Sequence, residues 1–197
     1  MILEGIVTTM SPEGLVNVAP MGPRVEADWR RFVLRPFTSS TTYRNLKAHG
    51  EGVLHVTDDA LLLAQTAIGH AVDPPMRPAD AVRGRVLLGA CRYYEFRVVE
   101  IDDTEPRTTI AAEVVASGRL RDFFGWNRAQ HAVVEAAILA TRTDFLPLPE
   151  ILADLRKLAV LVQKTGGTAE HAAFKLLVEH VRSVARLRGI DPEVVTP

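Results

Sequence analysis

Pro36-Phe37-Thr38-Ser39-Ser40-Thr41-Thr42-Tyr43-Arg44-Asn45-Leu46 sets five consecutive hydroxyl residues between an apolar run and a segment that tolerates a helix. The apolar run Phe32-Val33-Leu34 ends at Arg35-Pro36, and proline cannot donate to a sheet ladder, so the hydroxyl run is the loop after a strand. From Thr41 to Ala48 the residues suit a short helix, and Gly50 stands where a left-handed stop belongs. Ser39 or Ser40 is then the N-cap. Free backbone N–H groups and the positive end of the helix dipole gather there, so hydroxyls beyond the one a cap needs can donate to a bound phosphate. Arg35 and Arg44 flank the loop with positive charge. The competing reading is an ordinary Ser/Thr-rich turn with one capping hydroxyl, but five in a row is more than a cap uses.

Upstream, Ile2 to Thr9 and Leu15 to Met21 are β-rich runs separated by the turn residues Ser11-Pro12-Glu13-Gly14, which predicts a hairpin. Downstream of the loop, Gly52 to Val56 is a short strand. Asp58 or Asp59 caps a helix through about Ile68, and Ala71 to Asp80, with three prolines, reads as an extended loop. Arg92 to Ile101 and Thr108 to Leu120 are long strand candidates joined by a polar turn, a second antiparallel pair. About six strands joined mainly by turns fit a small antiparallel barrel better than a layered parallel sheet. The character changes near Gly125: helices are expected from Asn127 to Arg142, from Leu148 to Gln163, and from a Thr168 cap to about Arg188, with Ala172, Leu176, Leu177, Val181, Val184 and Ala185 facing inward. The expected division is a barrel domain over 1–124 and a three-helix subdomain over 125–197. The fold class is α+β.

Length, composition and charge exclude several functions. The 197 residues are enough for a substantial core, and 47% hydrophobic with 24% charged residues is ordinary for a globular chain. A net charge of −1 and a pI near 6.6 speak against a nucleic-acid partner. Cys91 is the single cysteine, so no internal disulfide is available, and a reducing compartment fits. The first residues carry no positively charged leader and no apolar run reaches a membrane span, which makes cytoplasmic the expected location. The six histidines form neither a His-x-x-x-His pair nor a Cys/His cluster of ligand spacing, and no metal site is expected. Cys91 before a strand reads as a small packing residue rather than a nucleophile. Gly-x-Ser-x-Gly, Walker and Gly-x-Gly-x-x-Gly signatures are absent.

A second stretch bears on a ligand. In Gly14-Leu15-Val16-Asn17-Val18-Ala19-Pro20-Met21-Gly22, small residues beside an asparagine let a flat ring lie close to a strand that shifts at Pro20 and Gly22. A flavin ring is held by donors aimed at N5, O4, N1 and O2, which such a strand can supply. The bland alternative is a strand with an edge proline.

Taken together, Ile6-Val7-Thr8-Thr9, Asn17-Val18-Ala19-Pro20-Met21-Gly22, Phe37 to Asn45 and His55-Val56-Thr57-Asp58-Asp59 resemble the FMN-binding split-barrel superfamily. More narrowly they resemble domain-of-unknown-function family 447, whose helical tail is similar to Asn127-Arg128-Ala129 and Glu135 to Arg142. The resemblance covers nearly the whole chain. It implies an antiparallel split β-barrel followed by a C-terminal helical subdomain, a homodimer, and FMN between subunits. It further implies that Ser40, Thr42 and Asn45 hold the phosphate end while Thr8, Asn17, Val18 and Ala19 line the ring. Ser39 and Thr41 complete the hydroxyl loop, and Ser39 stands where relatives tend to have glycine.

Two function classes are open on these residues. One is an FMN-dependent oxidoreductase of the flavin reductase type, in which a reductant transfers hydride to the flavin and no catalytic triad is required. The other is a non-catalytic flavin or small-ligand binding module whose helical tail docks a partner. No motif identifies a catalytic residue or a substrate. The proline-rich segment Ala71 to Asp80 is the expected substrate lid, held clear of the sheet by its length.

Overall fold

In the computed structural model, which describes residues 1–191, the chain divides into two compact units. The first comprises Met1–Asp58 and Asp73–Phe123 and the second Asp59–Val72 with the residues from Phe124 onward. Positions 192–197 of the expected C-terminal subdomain lie outside the described residues.

The first unit is a seven-stranded antiparallel sheet with one helix and a separate hairpin. Its strands are β1 (Gly5–Met10), β2 (Val16–Met21), β3 (Arg24–Val25), β4 (Arg31–Leu34), β5 (Glu51–Val56), β8 (Arg92–Asp102) and β9 (Thr109–Arg119), in the spatial order β2-β1-β5-β8-β9-β4-β3. The hairpin is β6 (Met76–Pro78) with β7 (Arg85–Leu87), and helix α1 is Thr41–His49.

Closure of this sheet rests on one register. Gly5 pairs with Met21, and three residues out along both strands Ile2 bridges to Arg24, so β2 and β3 act as a single strand bent at Gly22-Pro23. Leu3 N–H donates to Pro23 O and Val25 N–H to Met1 O across the same seam. β3 also pairs with β4, which closes the sheet at that end. The other edge of β2, from Val16 to Met21, pairs with no strand among the described residues. The barrel is therefore split along β2, in agreement with the antiparallel split barrel expected from the sequence.

The interior is filled by Val7, Phe32, Leu34, Leu54, Phe96 and Ile110, with Tyr43 and Leu46 of α1 packed among them. Alternation puts Val7 inside and Ile6 and Thr8 outside. All three are nonetheless fully buried, because the outer face of β1, β5 and β8 is covered as well. The cover is the β6–β7 hairpin, whose Val86 packs on Val53 and Tyr93.

That hairpin corrects the expectation of a free loop over Ala71 to Asp80. Residues 76–78 are a strand, and side chains of the sheet hold the segment beyond it. Glu95, fully buried, accepts from Asp80 N–H at 2.9 Å and Ala81 N–H at 2.6 Å. Arg97 donates to Ala81 O and Glu51 accepts from Arg83 N–H, while Arg77 donates to Tyr93 Oη. A lid hinged free of the sheet is incompatible with this set of anchors.

In the second unit α2 (Ala60–Ala67) packs against α3 (Arg128–Ala140) and α5 (Thr168–Leu187), and α4 (Leu148–Thr165) packs against the same two helices. Asn127 caps α3 by accepting from Ala129 and Gln130 N–H. α5 is capped at Gly167 rather than Thr168, with the Glu170 carboxylate accepting from Gly167 N–H. Its inward stripe is Ala173, Phe174, Leu177, Val181 and Ala185, and Ala172 is exposed, so the inward face starts one residue later than the sequence pattern suggests. No helix among the described residues is long and apolar enough to cross a membrane.

Candidate functional site

Ser40 is the N-cap of α1: its Oγ accepts from Tyr43 N–H at 3.1 Å and its carbonyl accepts from Arg44 N–H. This leaves the N–H groups of Thr41 and Thr42 as the open donors of the first turn. Gly50 ends the helix at φ 65°, donating to Leu46 O, a left-handed conformation that glycine adopts without strain.

The loop ahead of the helix is held from two sides. Thr38 N–H donates to Pro106 O, and Thr108 donates to Pro36 O through both N–H and hydroxyl. Tyr43 Oη donates to Asp103 at 2.5 Å and Lys47 Nζ reaches the same oxygen at 2.7 Å, so Asp103 ties α1 to the β8–β9 turn. The Lys47 ammonium and the Tyr43 hydroxyl hold the Asp103 carboxyl below the usual range, and Asp103 in turn raises Lys47. Arg44 folds back over the loop, donating to Ser39 O and Thr41 Oγ1 at 3.0 Å each. Arg35 lies at the other end, its Nε buried with no hydrogen-bond partner among the described residues.

Beneath the first turn lies a polar cluster inside an otherwise apolar barrel. The Asn17 amide on β2 donates to Thr42 Oγ1 at 3.1 Å and to Thr9 Oγ1 at 3.4 Å. The Asn45 amide donates to the same Thr9 oxygen at 3.0 Å. Thr9, Thr42 and Asn45 are all buried, so these bonds satisfy groups that water cannot reach.

The structure thus brings Asn17, Thr42 and Asn45 together and adds Thr9, which the sequence pattern does not single out as a site residue. Ser39, Ser40 and Thr41 sit directly above them at the mouth of the helix, with Ser39 and Thr41 exposed. Cross-strand partners share a face, so Ala19 lies on the side of Val7 while Val18 lies with its partner Thr8 on the other. Thr8 is not in the cluster: its Oγ1 donates to Arg85 O at 2.6 Å under the hairpin. Thr9 is hidden in the sequence because β1 is buried on both faces and shows no polar alternation from which its inward side can be read.

Two other candidate groups are structural. His55 is fully buried, its Nδ1 paired with Ile6 O at 3.1 Å while Nε2 accepts from Leu87 N–H at 3.0 Å. Burial depresses its pKa to about 4, against a weaker raising effect of the Ile6 carbonyl. Cys91 is buried, and burial followed by the Asp58 carboxylate pushes its thiol pKa up, the opposite of what a nucleophile needs.

The fit of these elements to a phosphorylated planar ligand rests on three features. The first turn of α1 offers two open N–H donors with hydroxyls beside them. An unpaired strand edge runs past that turn. Asn17 ties the two together.

Comparisons with known proteins agree with this architecture. A solved FMN-bound protein from Methanosarcina mazei, itself matched by the DUF447 family model, superposes with a TM-score of 0.80 at 25% identity over 91% of this chain and 94% of that one. The 2-nitrobenzoate 2-nitroreductase of Pseudomonas fluorescens matches at TM-score 0.52 and 18% identity, covering 59% of this chain and 64% of that one. The flavoredoxin of Methanosarcina acetivorans matches at TM-score 0.51 and 14% identity, covering 60% and 68%. At these identities the last two speak to the fold alone. None of the curated proteins matches the sequence. The family model "Protein of unknown function (DUF447) N-terminal domain" matches residues 3–121, and "Protein of unknown function (DUF447)" matches residues 127–179. The chain belongs to the DUF447 family.

Proposed function

We propose that this protein is an FMN-binding flavoprotein of the flavin reductase type, with the phosphate of FMN seated at the start of α1 and the ring along the free edge of β2. The observation that carries this reading is the Asn17–Thr42 hydrogen bond, which fixes a ring-sized strand edge beside a phosphate-sized nest of donors. The FMN-bound relative from Methanosarcina mazei, with nearly the whole chain aligned, supports it.

In this assignment Thr41 and Thr42 N–H point at the phosphate, and the hydroxyls of Ser39 and Thr41 add donors at its exposed side. Thr42 takes the Asn17 amide on its oxygen and keeps its own hydrogen to donate. Asn45 donates one amide hydrogen to Thr9 and so braces the turn that carries the phosphate donors. Asn17 and Ala19 present the ring with a short polar group and a small apolar one, and Arg44 and Arg35 offset the phosphate charge. A bound FMN supplies hydride and electron chemistry of its own, so no acid–base pair is required of the chain.

A flat ring on the β2 edge is covered on one side only by this chain. A C2 homodimer that lays a second barrel over the ring completes the site and creates two equivalent ones. Light scattering of the flavin-loaded protein is expected to give twice the chain mass; a monomer with FMN still bound contradicts the dimer. Anaerobic bleaching of the bound flavin by NADH or NADPH tests the reductase activity, and no bleaching by either favours the non-catalytic binding module.

A further inference from the structure

A cleft of about 310 Å³ lies in the barrel unit, lined by Val56, Cys91, Arg92, Arg119, Arg121, Asp122 and Phe123. It is well separated from the hydroxyl loop. Thr9 stands level with Gly52 and Phe96, whereas Arg92 pairs with Val56. Two strand steps and four residues therefore place Arg92 roughly 15 Å from the Thr9 cluster along the sheet. The free edge of β2 is on the opposite side of β1.

The arginines in this cleft are not equivalent. Arg121 is fully engaged, with Nε on Gly89 O at 3.0 Å and the two terminal nitrogens on the carboxylate of Asp58, whose side chain is 6% exposed. Among the described residues Arg119 is held only by Asp122, in an exposed pair of the kind that contributes little. The Arg92 side chain makes no hydrogen bond or ion pair among the described residues. Yet Arg92 and Arg119 are direct cross-strand partners, a placement in which like charges repel. Three guanidiniums meet two carboxylates, and the excess positive charge sits on the opposed pair.

We propose that this cleft binds a small organic oxyanion, whose carboxylate or phosphate bridges the Arg92 and Arg119 guanidiniums while an apolar body lies against Val56 and Phe123. The planar fork of arginine suits either group, and an anion between the two side chains converts a repulsive pair into a clamp. The volume is at the small end of ligand sites, of about 300–1,000 Å³, and so selects a compact molecule.

Calorimetric titration of the full chain with sodium benzoate and with inorganic phosphate tests this, in the absence of flavin and with saturating FMN. One site per chain is expected, for which the two probes compete and whose affinity FMN leaves unchanged. Arg92→Ala and Arg119→Ala each weaken binding by about tenfold or more. Arg92→Lys, which keeps the charge and loses the fork, recovers part of it. Arg30→Ala, at a side chain 85% exposed and outside the cleft, changes nothing. Phe123→Ser weakens benzoate and leaves phosphate alone, which distinguishes the carboxylate-bearing aromatic from the bare anion. The proposal is overturned if no saturable binding occurs, if the arginine variants bind like the parent, or if FMN displaces the probes. The titration without flavin stands whether or not the chain binds FMN.

Discussion

The side-chain amide of Asn17 donates to Thr42 Oγ1 at 3.1 Å, joining the open edge of β2 to the first turn of α1 across 25 positions of sequence. Asn17→Leu removes this bond and the weaker one to Thr9 with little change of volume. At about 0.5–1.5 kcal/mol for each neutral hydrogen bond, FMN affinity is expected to fall by about tenfold. A fluorescence titration measures it, and an unchanged affinity would separate β2 from the ligand.

Thr9 and Thr8 make a matched pair of probes because they point to opposite faces of β1. Thr9→Val leaves the half-buried amide of Asn17 and the buried amide of Asn45 without their shared acceptor, at about 1–3 kcal/mol, and is expected to weaken FMN binding as well as stability. Thr8→Val breaks only the bond to Arg85 O under the hairpin. It should lower the unfolding midpoint and leave flavin affinity as in the parent. Equal effects of the two on affinity would contradict the facing assigned here.

His55 makes stability depend on pH in a defined window. The folded pKa is about 4 and the unfolded one about 6.5, so between these values the unfolded chain binds the extra proton. Stability from this residue is complete above pH 6.5 and is lost as pH falls toward 4, by about 3 kcal/mol in all. Denaturation midpoints measured from pH 7.5 to 4.5 are expected to drop in the parent. His55→Gln is less stable at neutral pH and flattens that slope; a parallel slope in the variant would assign the pH dependence to other groups.

Glu95 gives the hairpin its own signature. Glu95→Ala leaves the N–H groups of Asp80 and Ala81 without their acceptor, at about 3 kcal/mol for the pair. Hydrogen exchange at Asp80 and Ala81 should accelerate strongly while the amides of β8 and β9 far from the hairpin stay protected. Uniform acceleration would mean that the hairpin and sheet open as one.

Much of this is legible in the residues. The hydroxyl run after Pro36, with Gly50 at the left-handed stop, locates α1 and its cap to within a residue because capping is a local interaction. The turn at Ser11 to Gly14 and the two long runs near Arg92 and Thr108 mark strands through equally local signals. What escapes is nonlocal. β3 is two residues long and exists because Arg24 and Val25 pair with β4 on one side and with the N-terminal segment, through the Ile2 bridge, on the other. β6 contains a proline and is held by Tyr93 on Arg77 and, just beyond its end, by Glu95 and Arg97 on Asp80 and Ala81, all from a strand further along the chain, so its own composition reads as a loop. Thr9 rather than Thr8 faces α1 because of the β1–β2 register, and a shift of one residue reverses the face.

The central claim is that the α1 start holds a phosphate attached to a flavin ring, and parallel equilibrium titrations with FMN and riboflavin test it most directly, on the parent, Thr42→Ala and Thr42→Glu. FMN is expected to bind the parent more tightly than riboflavin. Thr42→Ala should weaken FMN by about 1.5–3 kcal/mol, the worth of a hydrogen bond to a charged group. Thr42→Glu sets a carboxylate against the phosphate, which should abolish FMN binding and bring it no tighter than riboflavin. Equal affinity of the parent for FMN and riboflavin, or FMN binding by Thr42→Glu at the parental level, would contradict the account.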